Sequence, residues 1–277
     1  MGGGLTNVVY TAYHKKGAFI VRFGAAAEKI EDFLKEQWAM ARVREKGVPT
    51  PEILQVGTEP VSVPYMISQR VEGHTAVHHP RRLGIAREMG RLLAKIHSIP
   101  TSGYGTTFDW SQNVLSRNET WAEFLRKEWE IEDRIAVLEQ QDLLDSSQMK
   151  TLRGVVEAML AWDMPGVLNH GDMRLKNVLV DNAGKILAII DWEDARSCPA
   201  PCWDLALALH DLSIDAKEAF IEGYGLSGEQ IRDISRYIKA LNVLHYAPLA
   251  KQAASRGNKR RLDCLRTRLS GALEVFF

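Results

Sequence analysis

The chain has 277 residues, 45% of them hydrophobic and 25% charged, and a formal net charge of +0. That balance fits a globular protein with enough residues for two cored lobes, and it excludes a general polyanion or nucleic-acid binder. There is no apolar run of about 18 residues, so no transmembrane helix is expected, and three Cys do not make a disulfide framework.

Met1-Gly2-Gly3-Gly4-Leu5-Thr6-Asn7 lacks the basic and apolar regions of a signal peptide, so the chain reads as cytoplasmic. Val8 to Tyr13 and Ala18 to Phe23 read as strands joined by a turn at His14-Lys15-Lys16-Gly17. Alternation in the second strand puts Phe19, Val21 and Phe23 on one face, with Ala18, Ile20 and Arg22 on the other. Glu28 to Lys46 has Ile30, Phe33, Leu34 and Ala41 at helical spacing and stops at Gly47, before Pro49 and Pro51. Val61 to Gly73 begins as a strand and ends at a Gly turn. Arg81 to Ser98 is an amphipathic helix carrying Ile85, Met89, Leu92, Leu93 and Ile96. His97 reads as a structural residue bonding the helix's terminal carbonyls.

Trp121 to Gln140 is expected as one long helix and Met149 to Trp162 as a second. Asp109, Glu128, Glu130, Glu132 and Asp133 read first as a solvated face, with a wall for a cationic ligand as the weaker alternative. Asp204 is a good N-cap for a helix over Leu205 to Leu212. Further helices are expected over Ile214 to Tyr224, Ser227 to Ser255 and Lys259 to Glu274. Cys198 and Cys202 have no partner pair at zinc-site spacing and read as structural thiols. Arg256 to Arg261 is basic but short, and reads as a solvated turn.

Residues 167–193 carry the chemistry. Three short apolar runs, Val167-Leu168, Val178 to Val180 and Ile186 to Ile190, read as buried strands, with a turn at Asp181-Asn182-Ala183-Gly184. Asp172, Asn177 and Asp191 stand at the rims of these strands, where three oxygen-bearing side chains in one cleft would suit Mg²⁺. Asp and Asn are also ordinary turn residues. The whole order argues for more than turns: His170, then Asp172, then Asn177, an apolar strand, a turn, and a second strand ending in Asp191. That is the catalytic-loop and metal-Asp arrangement of protein-kinase-like phosphotransferases.

His170-Gly171-Asp172-x-x-x-x-Asn177 followed by Ile190-Asp191-Trp192-Glu193 resembles the aminoglycoside phosphotransferase (APH) family, nearest its hygromycin-type antibiotic kinases. Protein kinases would carry Arg at position 171 and Phe-Gly after the metal Asp. The resemblance implies an α+β, bilobal, protein-kinase-like fold. A small β-rich nucleotide lobe would span residues 1–69 and a larger, mostly helical lobe residues 70–277. It implies ATP or GTP with Mg²⁺ held by Asn177 and Asp191, and Asp172 as the base for a hydroxyl acceptor. His170 and Asp204 would hold the loop in shape. In the family a basic strand residue, usually Lys, contacts the phosphates. Arg22 stands there, with Glu36 as its expected helix partner ahead of Glu31. Gly2 to Asn7 resembles the family's Gly-Gly-x-Ser-Asn loop, which would bring Thr6 and Asn7 to the nucleotide, with the strand expected before that loop missing or shortened. Backbone groups of Ser68, Gln69, Arg70 and Val71 would receive the nucleobase. Lys176 or Arg174 would neutralise charge on the γ-phosphate.

The expected acceptor is a hydroxyl of an aminoglycoside-like, cationic antibiotic. The alternatives are another small metabolite (choline, homoserine, sugar or macrolide type) or a nucleotide-binding pseudokinase without turnover. A monomer with no nucleic-acid or membrane partner is expected.

Overall fold

Strands β1 (Asn7–His14) and β2 (Gly17–Gly24) form an antiparallel hairpin in which His14 faces Gly17. Val, Ile, Tyr and Phe favour these strands, and Gly17 takes the positive φ of 136° at the turn. The structure, a computed structural model, describes residues 7–106 and 118–274. The Gly2 to Thr6 part of the expected nucleotide loop lies outside the described residues, as does Asp109; Asn7 opens β1.

The other edge of β2 pairs with β4 (Tyr65–Gln69), Arg22 facing Met66. Outside β4 lies β3 (Ile53–Gly57), giving an antiparallel sheet in the order β1-β2-β4-β3. Sequence reading did not anticipate β3. It is five residues long, follows Pro49 and Pro51, and is specified by pairing with β4 rather than by a strong local pattern. Helix α1 (Lys29–Glu45) packs against β3 and β4 and buries Phe33, Lys35, Glu36, Ala39, Met40 and Val43. Two charged residues on the buried face of one helix need partners, and the site supplies them.

The helical part centres on α2 (Arg82–Ile96) and α7 (Ile214–Tyr224), which cross at glycines. A Cβ at Gly90 would lie 2.0 Å from the Phe220 carbonyl oxygen, and one at Gly223 would lie 1.9 Å from that of Arg87. The same core continues into an aromatic part: Trp203 meets Trp121, Phe124 and Trp129 at centroid distances of 6.2, 5.8 and 4.9 Å.

Several expected helix boundaries are corrected. Trp121 to Gln140 is two helices, α3 (Trp121–Lys127) and α4 (Ile131–Gln140). Glu130 between them has a left-handed φ of 52°, which interrupts the hydrogen-bond ladder and lets Trp129 turn into the core. Helix α5 (Ser146–Leu160) begins earlier than expected because Asp145 and Gln148 form a capping box. The expected single helix over Ser227 to Ser255 is α8 (Gly228–His245) and α9 (Ala247–Ser255). Pro248 has no N–H for the Leu244 carbonyl, and that carbonyl accepts from Arg134 Nη1 at 3.2 Å instead. Helix α6 spans Cys202–Ala208, so Asp204 sits in its first turn rather than capping it. Helix α10 spans Lys259–Glu274 as expected, so the basic run 256–261 passes into a helix rather than staying a turn.

Two small sheets carry the motif. β7 (Val178–Val180) pairs with β8 (Ile186–Ile189), the expected hairpin, with β5 (His74–Thr75) on its far edge. β6 (Val167–Asn169) pairs with β9 (Arg196–Cys198). The result is a mixed α+β chain with a small antiparallel sheet lobe and a helical part. Among the described residues, no helix is long and apolar enough to cross a membrane.

Candidate active site

The loop after β6 is held from behind. Buried Asp204 accepts the backbone N–H groups of His170 and Gly171, both at 2.8 Å. Its second role is to bind His97 Nε2 at 3.1 Å, and His97 Nδ1 meets the Tyr224 hydroxyl at 2.8 Å. His97 thus anchors Asp204 rather than the end of its own helix. Burial alone would raise the Asp204 pKa, but the hydrogen bond and charge of His97, with His170, hold it below the ordinary value. Gly171 has φ +85°, and a Cβ there would meet the Asp194 carbonyl oxygen at 2.0 Å. Glycine at this point lets two loops approach backbone to backbone.

His170 joins those loops. Its Nδ1 accepts the Asp172 N–H at 3.2 Å, so Nε2 is the protonated nitrogen that donates to the Ile190 carbonyl at 3.1 Å. Its ring lies 4.5 Å from that of buried Trp192. The Asp172 carboxylate is contacted by Lys176 Nζ at 2.6 Å, Asn177 Nδ2 at 3.0 Å and Arg174 Nη1 at 3.8 Å. Lys176 and Arg174, read from the sequence as groups for the phosphate, both lean on Asp172 here. Asn177 Nδ2 also donates to the Asp172 carbonyl at 2.8 Å. With its amide hydrogens used on Asp172, the Asn177 oxygen is the atom suited to a cation.

Asp191 follows β8 with φ +67°, a sparsely populated conformation for a residue with a side chain. Ile190 N–H bonds the Asn177 carbonyl at 2.9 Å, tying the two loops together. Asn177 and Asp191 line one cavity of about 420 Å³, shared with Arg22, Glu36 and the strand end Ser68 to Val71. No cluster of three His, Cys, Asp or Glu groups suited to a metal occurs among the described residues. One carboxylate and one amide oxygen fit Mg²⁺, which keeps few protein ligands and takes the rest from water and phosphates.

Across the cavity, Arg22 Nη1 bonds Glu36 Oε2 at 2.7 Å, and Arg22 Nη2 reaches Glu193 Oε2 at 3.5 Å. The guanidinium also lies 5.3 Å over the Phe33 ring. Burial raises the Glu36 pKa, opposed by Arg22. Burial also raises that of Glu193, helped by the Asp191 charge. Lys35 is 2% exposed and donates from Nζ to the Glu193 carbonyl at 2.6 Å; burial lowers its pKa. Lys35 was not singled out in the sequence, and Glu193 was named only as part of the motif, with no role. Glu193 closes the motif, but nothing local marks Lys35, whose partner is 158 residues away.

At the strand end, Gln69 N–H bonds the Glu52 carbonyl at 2.8 Å and Arg70 N–H bonds that of Ala18 at 3.0 Å. These two donors are occupied by the sheet. Among the described residues no protein acceptor bonds the Val71 N–H. The Arg70 side chain turns away to the Tyr13 hydroxyl, at 3.1 Å.

A second cavity, of about 320 Å³, includes Arg174 of the catalytic loop and shares no lining residue with the first. It is lined by Arg174, by Leu207 of α6 with His210, by Tyr246, and by residues of α8, α9 and α10. Two buried polar atoms on its lining residues, Asn242 Oδ1 and His245 Nε2, have no hydrogen-bond partner. Such an atom costs about 1–3 kcal/mol unless a ligand or water satisfies it. Glu128, Glu130, Glu132 and Asp133 are all exposed and line neither cavity; Glu128 accepts from Asn118 Nδ2 at 2.8 Å.

The model of the phosphotransferase enzyme family, APH, matches residues 1–268. Hygromycin-B 4-O-kinase of Escherichia coli is 27% identical over 186 residues, which are 64% of this chain and 51% of the relative. The match thus spans about half that relative's length. A ternary complex of a thermostable aminoglycoside phosphotransferase APH(4)-Ia variant with AMP-PNP and hygromycin B superposes with a TM-score of 0.66 and 20% identity, covering 99% of this chain and 92% of that one. Macrolide 2'-phosphotransferase MphH of Brachybacterium faecium gives a TM-score of 0.62 and 17% identity, covering 97% and 90%. These likenesses establish a shared fold with kinase-like phosphotransferases.

Proposed function

Because the chain belongs to the APH phosphotransferase enzyme family, we propose that it transfers the γ-phosphate of ATP to a hydroxyl of a small molecule. One observation carries this reading: a single cavity joins the Arg22–Glu36 pair, the Ser68 to Val71 strand end, Asn177 and Asp191, with Asp172 bonded to Asn177 beside it. Residues 1–69 would serve the nucleotide and residues 70–277 the acceptor.

In this reading the nucleobase lies along Ser68 to Val71, where the Val71 N–H offers a donor. GTP would fit the same backbone. Arg22, oriented by Glu36, holds the phosphate chain. Thr6 and Asn7 complete the phosphate cradle. Asn177 and Asp191 would hold Mg²⁺, which when bound would neutralise charge on the phosphates. Asp172 orients the acceptor hydroxyl and takes its proton. Lys176 stands close enough to Asp172 to bias where that proton and the developing charge settle. His170 and Asp204 keep the loop in shape. Catalysis is mostly positioning and charge stabilisation.

Hygromycin-type aminoglycosides are the first acceptors to try, because relatives of this chain act on or bind hygromycin B. A second reading, another hydroxylated metabolite, is favoured by Glu128, Glu130, Glu132 and Asp133 lining neither cavity. The test is Mg²⁺-dependent ATP consumption with a panel of hydroxyl compounds. Asp172→Asn should lower kcat about 10²- to 10⁴-fold, the usual range for a lost acid–base group, while ATP affinity stays unchanged. Full turnover by the variant would remove Asp172 from the reaction. An enzyme that binds ATP yet consumes none with any compound would be a pseudokinase.

A further inference from the structure

We propose that the second cavity, lined by Arg174 of the catalytic loop, is an acceptor subsite for an anionic group, a carboxylate or a phosphate on a hydroxylated compound. The inference rests on the phosphotransferase reading and deepens its second form.

Position is the first argument. Arg174 lines this cavity, and its Nη1 lies 3.8 Å from Asp172 Oδ1. A molecule seated there reaches Arg174, whose guanidinium in turn contacts the residue that would receive the hydroxyl proton.

Charge is the second. Arg174, Arg261, Arg268 and His210 line the cavity, and no carboxylate is among its described lining residues. Elsewhere on the surface, arginines stand against acids: Arg87 with Glu222, Arg91 with Glu88, Arg153 with Glu139, and Arg266 of α10 with Asp263. Arg261 and Arg268, on the same helix as Arg266, have no such partner among the described residues. Arg268 is held in place without an acid, against His210 and 5.1 Å over the Tyr246 ring. A planar guanidinium fixed this way offers paired donors to a carboxylate or phosphate. The same three guanidinium groups repel an ammonium group.

Hydrogen bonding is the third. Asn242 gives Nδ2 to the Ala206 carbonyl at 2.7 Å, and its Oδ1 is left without a donor. His245, kept neutral by burial and by the charges of Arg196 and Arg134, leaves Nε2 without a partner. Both atoms are themselves buried, so they mark a polar wall behind the cavity rather than contacts for its occupant. Leu207, Leu249 and Leu265 give it an apolar floor.

The test uses the full chain with Mg²⁺ and AMP-PNP, and compares by calorimetry four matched sugars and one antibiotic: glucuronate, glucose 6-phosphate, glucose, glucosamine and hygromycin B. Glucuronate or glucose 6-phosphate should bind at least tenfold tighter than glucose and glucosamine. Whichever anion is tighter tells carboxylate from phosphate. Arg268→Gln and Arg261→Gln should each bring the anion's advantage below threefold, with AMP-PNP affinity unchanged as proof of folding. Glucosamine or hygromycin B binding as tightly as the anions, no measurable anion binding, or an anion preference untouched in both variants would overturn the proposal. ATP turnover on the same samples separates the two readings. Phosphorylation of hygromycin B without anion binding sinks the subsite alone. Anion binding in this cavity with no turnover of any compound sinks the phosphotransferase reading.

Discussion

Glu36 shows how much one buried carboxylate organises. It is 1% exposed, one oxygen bonds Arg22 and the other has no partner. A buried charge is tolerable only when paired, so Arg22 and Glu36 hold each other. Glu36→Gln keeps the shape and removes the charge. ATP affinity should then fall about tenfold to a hundredfold, in line with ~1.5–3 kcal/mol for a charged hydrogen bond, while acceptor KM stays put. An unchanged nucleotide Kd would mean that Arg22 is held in place without Glu36. The pairing was foreseen through the family resemblance. Its reinforcement by Glu193 was not, because the contact joins residues 171 apart in sequence.

At the scale of elements, α1 brings both Glu36 to Arg22 and Lys35 to the Glu193 carbonyl, so one helix braces the strand residue and the loop after Asp191. The crossing of α2 and α7 shows the opposite logic, contact through missing side chains. Gly90→Ala must part the helices, since the new Cβ would lie 2.0 Å from a carbonyl oxygen. Overpacking costs about 1–3 kcal/mol, enough to outweigh the ~1 kcal/mol that Ala gains over Gly in a helix. Gly154 of α5 has nothing within 4 Å of its Cβ position. Gly154→Ala should therefore raise Tm while Gly90→Ala lowers it; two shifts of the same sign would refute this account. Periodicity located α2 and α7 to within a residue or two. It missed the breaks at Glu130 and Tyr246, where a buried Trp129 and the proline ring of Pro248 outweigh helical spacing.

For the whole molecule, His245 makes stability depend on pH. It is enclosed by Trp203 and Trp129, with ring centroids at 4.9 and 5.4 Å. Burial, with Arg196 and Arg134 nearby, pushes its pKa down to about 3 from 6.5, against the attraction of Asp204. Between those values the unfolded chain binds the proton and the folded chain does not, so stability rises with pH in this window and is lost as pH falls below about 6.5. The loss is about 1.4 kcal/mol per pH unit from this group. The raised pKa values of Glu36 and Glu193 act with the opposite sign, because the folded state holds those protons to higher pH. Urea midpoints at pH 7 and pH 5, compared between wild type and His245→Gln, isolate the term. The wild type should lose about 2 kcal/mol more than the variant over that interval; equal losses would show that the ring is not kept neutral by the fold.

By itself the sequence determined the motif, the hairpin that carries it and the helices 214–224 and 259–274, because spacing, alternation and turn chemistry are local. Asp172, Asn177 and Asp191 could be picked out since their order along one short stretch carries the chemistry. Tertiary structure decided the rest. It chose β3 through its pairing with β4, took Asp204 from a helix cap to a brace for the His170 turn, and set Lys35 against Glu193. It also gathered Arg174, Arg261 and Arg268 around one cavity. Each of those outcomes depends on which surfaces meet when helices and sheet pack, and neither periodicity nor composition encodes that.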